Sequence, residues 1–277
     1  MPVGRPTRGT TNTNRLRRID RWIAQHPAFR GAERPLVVDL GYGASGATAF
    51  ELFDRLRPTR DTVRVVGLEI DPERVVTARA QLEQQAPLTQ ERVSFARGGF
   101  EVPLARGERA NVIRAFNVLR QYDEAEVPDA WALMLDRLVP DGLLVEGTCS
   151  EIGRVASWIG LRPSGPETFT VSLHLGSLEL PSVAAEPLPQ ALIHRNIPGE
   201  RIHDFLRAFD AAWLKEAPRA TFSAQQRFIA TVQRLKTEGW PLLDDVKRWR
   251  LGEVTLPWEA VAPRDGGVAE RWPAASR

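Results

Sequence analysis

The stretch Leu36-Val37-Val38-Asp39-Leu40-Gly41-Tyr42-Gly43-Ala44-Ser45-Gly46 constrains this chain more than any other. It reads as an apolar strand that runs into glycines on a Gly-x-Gly-x-x-Gly spacing and then opens a helix. Glycine is needed there because the chain reverses sharply and a side chain would hold a ligand away from the backbone. Further on, Val65-Val66-Gly67-Leu68-Glu69-Ile70-Asp71-Pro72 reads as a second buried strand that ends in a carboxylate, with a helix directly after it. Strand, helix, strand is half of a doubly wound α/β sheet, and the natural tenant of the glycine loop is a nucleotide-like cofactor.

Two carboxylates narrow the choice of cofactor. Asp39 lies two residues before the first glycine, at a strand end where a dinucleotide enzyme usually has an apolar residue. A carboxylate facing the loop repels a pyrophosphate and favours a sulfonium or ammonium group. Glu69 sits where a ribose presents its two hydroxyls, and an ionised carboxylate accepts a hydrogen bond from each. Asp71 and Pro72 read as the N-cap and first residue of a helix that buries Val75, Val76, Ala78 and Leu82.

The order Val-Asp-Leu-Gly-x-Gly, then Val-Gly-x-Glu-x-Asp-Pro-Glu with Ala78-Arg79, resembles class I S-adenosylmethionine-dependent methyltransferases, and the resemblance extends to about residue 148. It implies a Rossmann-like sheet and S-adenosyl-L-methionine as cofactor, held by Asp39, Gly41, Tyr42, Gly43, Gly46, Glu69 and Ile70. Residues 92–100 are similar to the third strand and the loop that covers the adenine. Gly99 and Phe100 stand where family members often carry an acid, with Phe100 a candidate to stack on the base. Residues 111–119 resemble the fourth strand, whose end meets the methyl group and the acceptor, which places Asn117 against the cofactor and Arg120 and Tyr122 near the substrate. A helix with Trp131, Met134, Leu135 and Leu138 follows, then a turn at Pro140-Asp141-Gly142 and a fifth strand over 143–146. Nucleic-acid N-methyltransferases end the fourth strand in Asn or Asp, Pro, Pro and an aromatic residue. Asn117-Val118-Leu119-Arg120 departs from that pattern.

With 277 residues, the chain accommodates a large domain and an extension. The division expected is a basic arm and helix over 1–30, an S-adenosylmethionine-binding domain over 31–180, a mainly helical appendage over 181–263 and a flexible tail over 264–277. Residues 1–11 are expected to be mobile. The domain closes with a strand over 168–175. Helices follow over 200–214, with Phe205, Phe209 and Trp213 on one face, and from Ser223, burying Phe228, Ile229, Val232 and Leu235 up to Gly239. Leu16, Ile19 and Ile23 recur at helical spacing and pack part of the arm on the core. No apolar run reaches the about eighteen residues of a membrane span, and no signal-peptide core is present, so a cytoplasmic protein is expected. His26, His174, His194 and His203 lie far apart without ligand spacing, so no metal is expected.

Net charge is +2, yet residues 1–30 hold seven arginines against Asp20 alone, a surplus of +6 that leaves about −4 for the rest. That asymmetry keeps an RNA methyltransferase guided by the basic arm as an alternative. Arginine richness is the competing explanation, because Lys215, Lys236 and Lys247 are the only lysines. Methyl transfer needs alignment more than a nucleophile. Where an oxygen or nitrogen acceptor needs a base, His194 is the candidate, with Arg195 beside it on the substrate, in the loop Ile193-His194-Arg195-Asn196. Thr148-Cys149-Ser150 is similar to a motif of RNA cytosine-5 methyltransferases in which a thiolate attacks the ring. Their second, Pro-Cys pair is missing here, and a buried structural cysteine is the preferred reading. The leading expectation is an enzyme that methylates an O or N atom of a small molecule. A non-catalytic cofactor-binding protein is the further alternative.

Overall fold

Local sequence dictates strands where β-branched and leucine residues run together, and the sheet they form puts the glycine loop at its centre. A computed structural model describes residues 2–7, 9, 12–265 and 268–272. Strands β1 (Leu36–Leu40), β2 (Arg64–Glu69), β3 (Val93–Arg97), β4 (Ala110–Phe116) and β5 (Leu138–Cys149) pair in parallel. β6 (Val155–Arg162), β7 (Gly165–Leu173) and β8 (Glu253–Pro257) continue antiparallel from β5. All belong to one eight-stranded sheet ordered β3-β2-β1-β4-β5-β6-β7-β8.

The helices are α1 (Arg17–Gln25), α2 (Pro27–Arg30), α3 (Ala47–Leu56), α4 (Pro72–Leu82), α5 (Pro87–Arg92), α6 (Val127–Leu135), α7 (Gln190–Ile193), α8 (Arg201–Lys215), α9 (Ala224–Thr237), α10 (Val246–Trp249) and α11 (Val268–Arg271). Side chains alternate across each strand, so each contributes to two cores. Val37, Val112 and Val145 meet Ile19, Ile23, Leu52, Phe53, Val75 and Ala78 from α1, α3 and α4 on one face. Val38, Ile113 and Leu144 meet Trp131, Met134, Phe205, Phe209, Phe228 and Val232 from α6, α8 and α9 on the other. This is a doubly wound, Rossmann-like α/β sheet, and the winding reverses between β1 and β4. In such sheets ligands bind outside the strand ends at that reversal.

Asp71 caps α4 by accepting from the N–H groups of Glu73 and Arg74, and the Ser223 hydroxyl caps α9 by accepting from that of Gln226. Val76 is 67% exposed rather than buried, because α4 seats only a narrow face with Val75 and Ala78 inside. Pro140-Asp141-Gly142 does not end a helix–strand connection. It bulges within β5, where pairing jumps from Ala110–Leu138 to Val112–Leu143. The segment 181–263 is helical apart from β8, which pairs with β7 and ties that segment into the same sheet. Val268 is buried and the Trp272 ring lies 5.8 Å from that of Trp131, so residues 268–272 of the expected tail dock on the α6 side. Residues 266, 267 and 273–277 of that tail, and Met1, Arg8, Thr10 and Thr11 of the arm, lie outside the described residues. Among the described residues no helix is long and apolar enough to cross a membrane.

Candidate functional site

The turn after β1 is built on left-handed backbone, with φ of 70° at Gly41 and 89° at Gly43, conformations that glycine adopts at little cost and that a Cβ disfavours. The loop's amides are already engaged. Gly41 donates to the Leu68 carbonyl at 2.8 Å, Gly43 to Glu69 Oε2 at 3.1 Å, Ala44 to the Gly9 carbonyl at 3.1 Å and Gly46 to Gln81 Oε1 at 2.9 Å. Tyr42 is buried under the loop, its ring edge-on to Phe95 at 5.1 Å, and burial pushes its phenol well above the usual range.

Asp39 lines the cavity next to this loop, but its charge is balanced inside the protein. Asp39 and Arg114 are register partners on β1 and β4, both facing the α1–α3 side. The Arg114 guanidinium donates to Asp39 Oδ1 from Nε at 3.1 Å and pairs with Oδ2 through Nη2 at 2.7 Å, and Thr48 Oγ1 donates to Oδ2 at 2.7 Å. Arg114 also pairs with Asp20 on α1, and Asp20 with Arg55 at 2.6 Å. Burial opposes the charge on Arg114, and the two aspartates outweigh it, holding its pKa above the usual value. The expectation that Asp39 offers a free counter-charge to a cationic ligand is therefore corrected: the triad knits α1, β1 and β4 together beneath the site.

Glu69 is 2% exposed at the end of β2. Its Oε1 accepts from the Ile70 N–H at 2.9 Å and its Oε2 from Gly43, while Arg74 Nη1 stands 3.6 Å from Oε2. Beyond it, the loop after β3 presents an acid that the sequence reading missed. Glu101 folds back so that Oε1 accepts from the Gly99 N–H at 3.1 Å, and Oε2 accepts from the Val3 N–H at 2.7 Å. The adjacent Val102 has φ of 42°, a strained conformation for a β-branched residue, of the kind that persists where surrounding structure holds a functional loop. Phe100 is buried and packs edge-on to Tyr122 at 5.2 Å.

Asn117 ends β4 with φ of 59° and lines the cavity. Its side chain accepts from the Cys149 N–H at 3.0 Å and donates to Cys149 Sγ at 3.4 Å, which pins the tip of β4 to that of β5. Burial pushes the Cys149 thiol up, so the thiolate needed for attack on a ring is disfavoured. Leu16, Phe116, Arg120, Gln121 and Glu151 complete a cavity of about 400 Å³ between the loop and these strand tips. Among its lining residues the carboxylates are Asp39 and Glu151.

The structure brings Asp39, Gly41, Tyr42, Gly43, Asn117 and Arg120 together around this cavity. Glu69, Ile70, Gly99, Phe100 and Tyr122 line a second, narrower space alongside. His194 and Arg195 are not among the residues lining either. His194 is exposed at the end of α7, and Arg195 is held by Glu124 at 2.7 Å, Glu200 at 3.3 Å and Asp265 at 3.0 Å. Of the arm's arginines, Arg5 pairs with Glu126 at 2.7 Å, Arg15 donates to the Ser150 and Cys149 carbonyls and Arg18 to the Leu251 carbonyl and Ser172. Those guanidinium groups donate within the fold. Among the described residues no cluster of His, Cys, Asp and Glu is arranged to hold a metal ion.

No protein-family profile and no curated protein matches the chain. Solved structures do. The glycopeptide N-methyltransferase MtfA is 21% identical over 48% of this chain and 55% of its own, with a TM-score of 0.38. The mitomycin 7-O-methyltransferase MmcR is 22% identical over 48% and 36%, with a TM-score of 0.37. The CcbJ methyltransferase from Streptomyces caelestis is 20% identical over 55% and 69%, with a TM-score of 0.37. The chain spans about half the length of the first of these, and each is a protein to which it is similar over part of its length.

Proposed function

We propose that the chain is an S-adenosylmethionine-dependent methyltransferase that transfers a methyl group to an oxygen or nitrogen of a small-molecule acceptor by in-line displacement. The observation that carries this reading is the state of the glycine loop. The N–H groups of Gly41, Gly43, Ala44 and Gly46 are committed to protein acceptors, and the Glu69 carboxylate rests on Gly43. A pyrophosphate needs free N–H groups and no carboxylate beside them. The loop suits a nucleoside whose tail is not anionic. Glu69 Oε2 retains a lone pair for a ribose hydroxyl, while Oε1 accepts from the Ile70 and Asp71 N–H groups, and the Phe100 N–H with Glu101 Oε2 forms a donor–acceptor pair that matches the edge of a 6-aminopurine.

The cofactor supplies the activated methyl carbon. The chain's own part is to align the acceptor and exclude water. Leu16 and Phe116 form the apolar wall, Asn117 holds the strand tip that meets the acceptor, and Arg120 at the mouth contacts its polar groups. Glu151 receives the proton the acceptor gives up, since Asp39 is engaged by Arg114. Titration calorimetry with S-adenosylhomocysteine tests the reading: Glu69→Gln weakens binding at least about tenfold, or about 1.4 kcal/mol. Equal affinity for the wild type and Glu69→Gln refutes the ribose assignment, and no binding to either refutes the cofactor.

A further inference from the structure

The N-terminal arm does not extend into solvent; it lies along the carboxyl ends of β1, β2 and β3. Val3 is paired with the loop after β3 through its whole peptide edge. Its carbonyl accepts from the Phe100 N–H at 2.9 Å, and its N–H donates to Glu101 Oε2 at 2.7 Å. Those are the same two groups that offer a donor and an acceptor to a 6-aminopurine. The Arg5 N–H donates to the Tyr122 hydroxyl, and Arg74 donates to the Thr7 carbonyl at 2.8 Å and to its hydroxyl at 3.2 Å. Gly4, with φ of 130°, is wedged so closely that a Cβ there would lie 2.9 Å from Ile70 Cδ1 and 3.0 Å from the Tyr122 hydroxyl.

The space left among Glu69, Ile70, Gly99, Phe100 and Tyr122 is about 10 Å³. That is about the room for one water molecule, and a purine ring does not fit. A covering lid would leave the chamber beneath it open, whereas here the chamber's own polar groups are consumed by the arm. We infer that residues 2–7 are an intramolecular peptide ligand of the base-binding subsite, and that a nucleoside cofactor must displace them to bind. This rests on reading the groove as the adenosine site.

Displacement follows from competition for one pair of hydrogen-bonding groups. Affinity measured on the intact chain is reduced by the fraction of molecules whose arm is out. With the arm seated in 90–99% of molecules, freeing it tightens binding about 10- to 100-fold. Gly4→Leu frees it while leaving every residue of the groove itself unchanged, because the new side chain clashes with Ile70 and Tyr122 only while the arm is seated and the residue's backbone conformation disfavours anything but glycine.

The test compares the full-length wild type with Gly4→Leu, by calorimetry with S-adenosylhomocysteine and by hydrogen exchange at the Phe100 amide without ligand. Tighter binding and faster Phe100 exchange in Gly4→Leu are the expected results. If both proteins bind equally, if Gly4→Leu binds more weakly, or if Phe100 exchange is unchanged, the arm is not a competitor and the inference is overturned while the cofactor reading stands. If S-adenosylhomocysteine binds neither protein, the cofactor reading fails and this inference fails with it.

Discussion

Replacing Arg114 with methionine isolates the contribution of the triad beneath the glycine loop. Arg114 is fully buried, and its guanidinium joins Asp20, both Asp39 oxygens and the Thr48 carbonyl, which accepts from Nη2 at 3.2 Å. Methionine preserves much of the volume and none of the charge. Asp20 keeps Arg55 at 2.6 Å, while Asp39 keeps the Thr48 hydroxyl at 2.7 Å and loses its cation. Removing one partner of a buried ion pair typically costs about 3–5 kcal/mol, because the other charge is left uncompensated. At about 2.1 cal/mol/K of unfolding entropy per residue over 277 residues, a loss of 4 kcal/mol lowers the midpoint by about 7 °C. Denaturant unfolding at pH 7 measures the loss, and adding Asp39→Asn recovers a large part of it by removing the stranded charge. A loss under about 1 kcal/mol, or no recovery in the double variant, refutes the assignment of the triad as a coupled buried network.

Glu146 faces the α6 side with its pKa pushed up to about 8 by burial, so the folded state holds the proton more tightly than the unfolded one. Stability is then fully present below the unfolded carboxyl range and lost as pH rises toward 8; between pH 6 and 8 the wild type loses about 2–3 kcal/mol relative to Glu146→Gln, at about 1.4 kcal/mol per pH unit. Parallel unfolding free energies of the two proteins across that range contradict this. Glu151→Gln lowers turnover about 10²-fold or more with S-adenosylhomocysteine affinity unchanged, if the carboxylate is the proton acceptor. A fall in cofactor affinity instead of turnover removes that role. Cys149→Ala retains methyl transfer within a few-fold, and the wild-type thiol resists alkylation at pH 7 in the folded state, since burial keeps it protonated; mass spectrometry reads the second outcome directly.

The strand, glycine turn and helix that frame the candidate site were legible because contiguous segments build them. A strand, a glycine turn and the helix after it form within a dozen or so residues, and the apolar spacing names them. The helix caps at Asp71 and Ser223 were readable for the same reason. β6 and β8 were not anticipated: no strand was read between 147 and 167, the segment from 181 onward reads as helical, and each strand is specified by its neighbour in the sheet. Arg114 carried a signal that went unused: a charge between Ile113 and Ala115 in an apolar strand needs a buried partner. Glu101 was also in view, two residues beyond Gly99, but its contact with the Gly99 N–H belongs to a tight turn in which the Val102 N–H donates to the Gly99 carbonyl at 3.0 Å.

What the sequence by itself determined is the βαβ opening, the glycine loop at the strand ends and the carboxylate of Glu69, all set by hydrogen bonds and side-chain periodicity over short stretches. Only the tertiary structure decided what the isolated charges do. Asp39 answers to Arg114 and Asp20, Arg195 to Glu124, Glu200 and Asp265, and Val3 to Glu101. Apart from Arg195 and Glu200, these pairings join residues far apart in sequence that only the tertiary fold brings together. In a buried site the partner, not the residue, decides whether a charge is spent inside the protein or offered to a ligand.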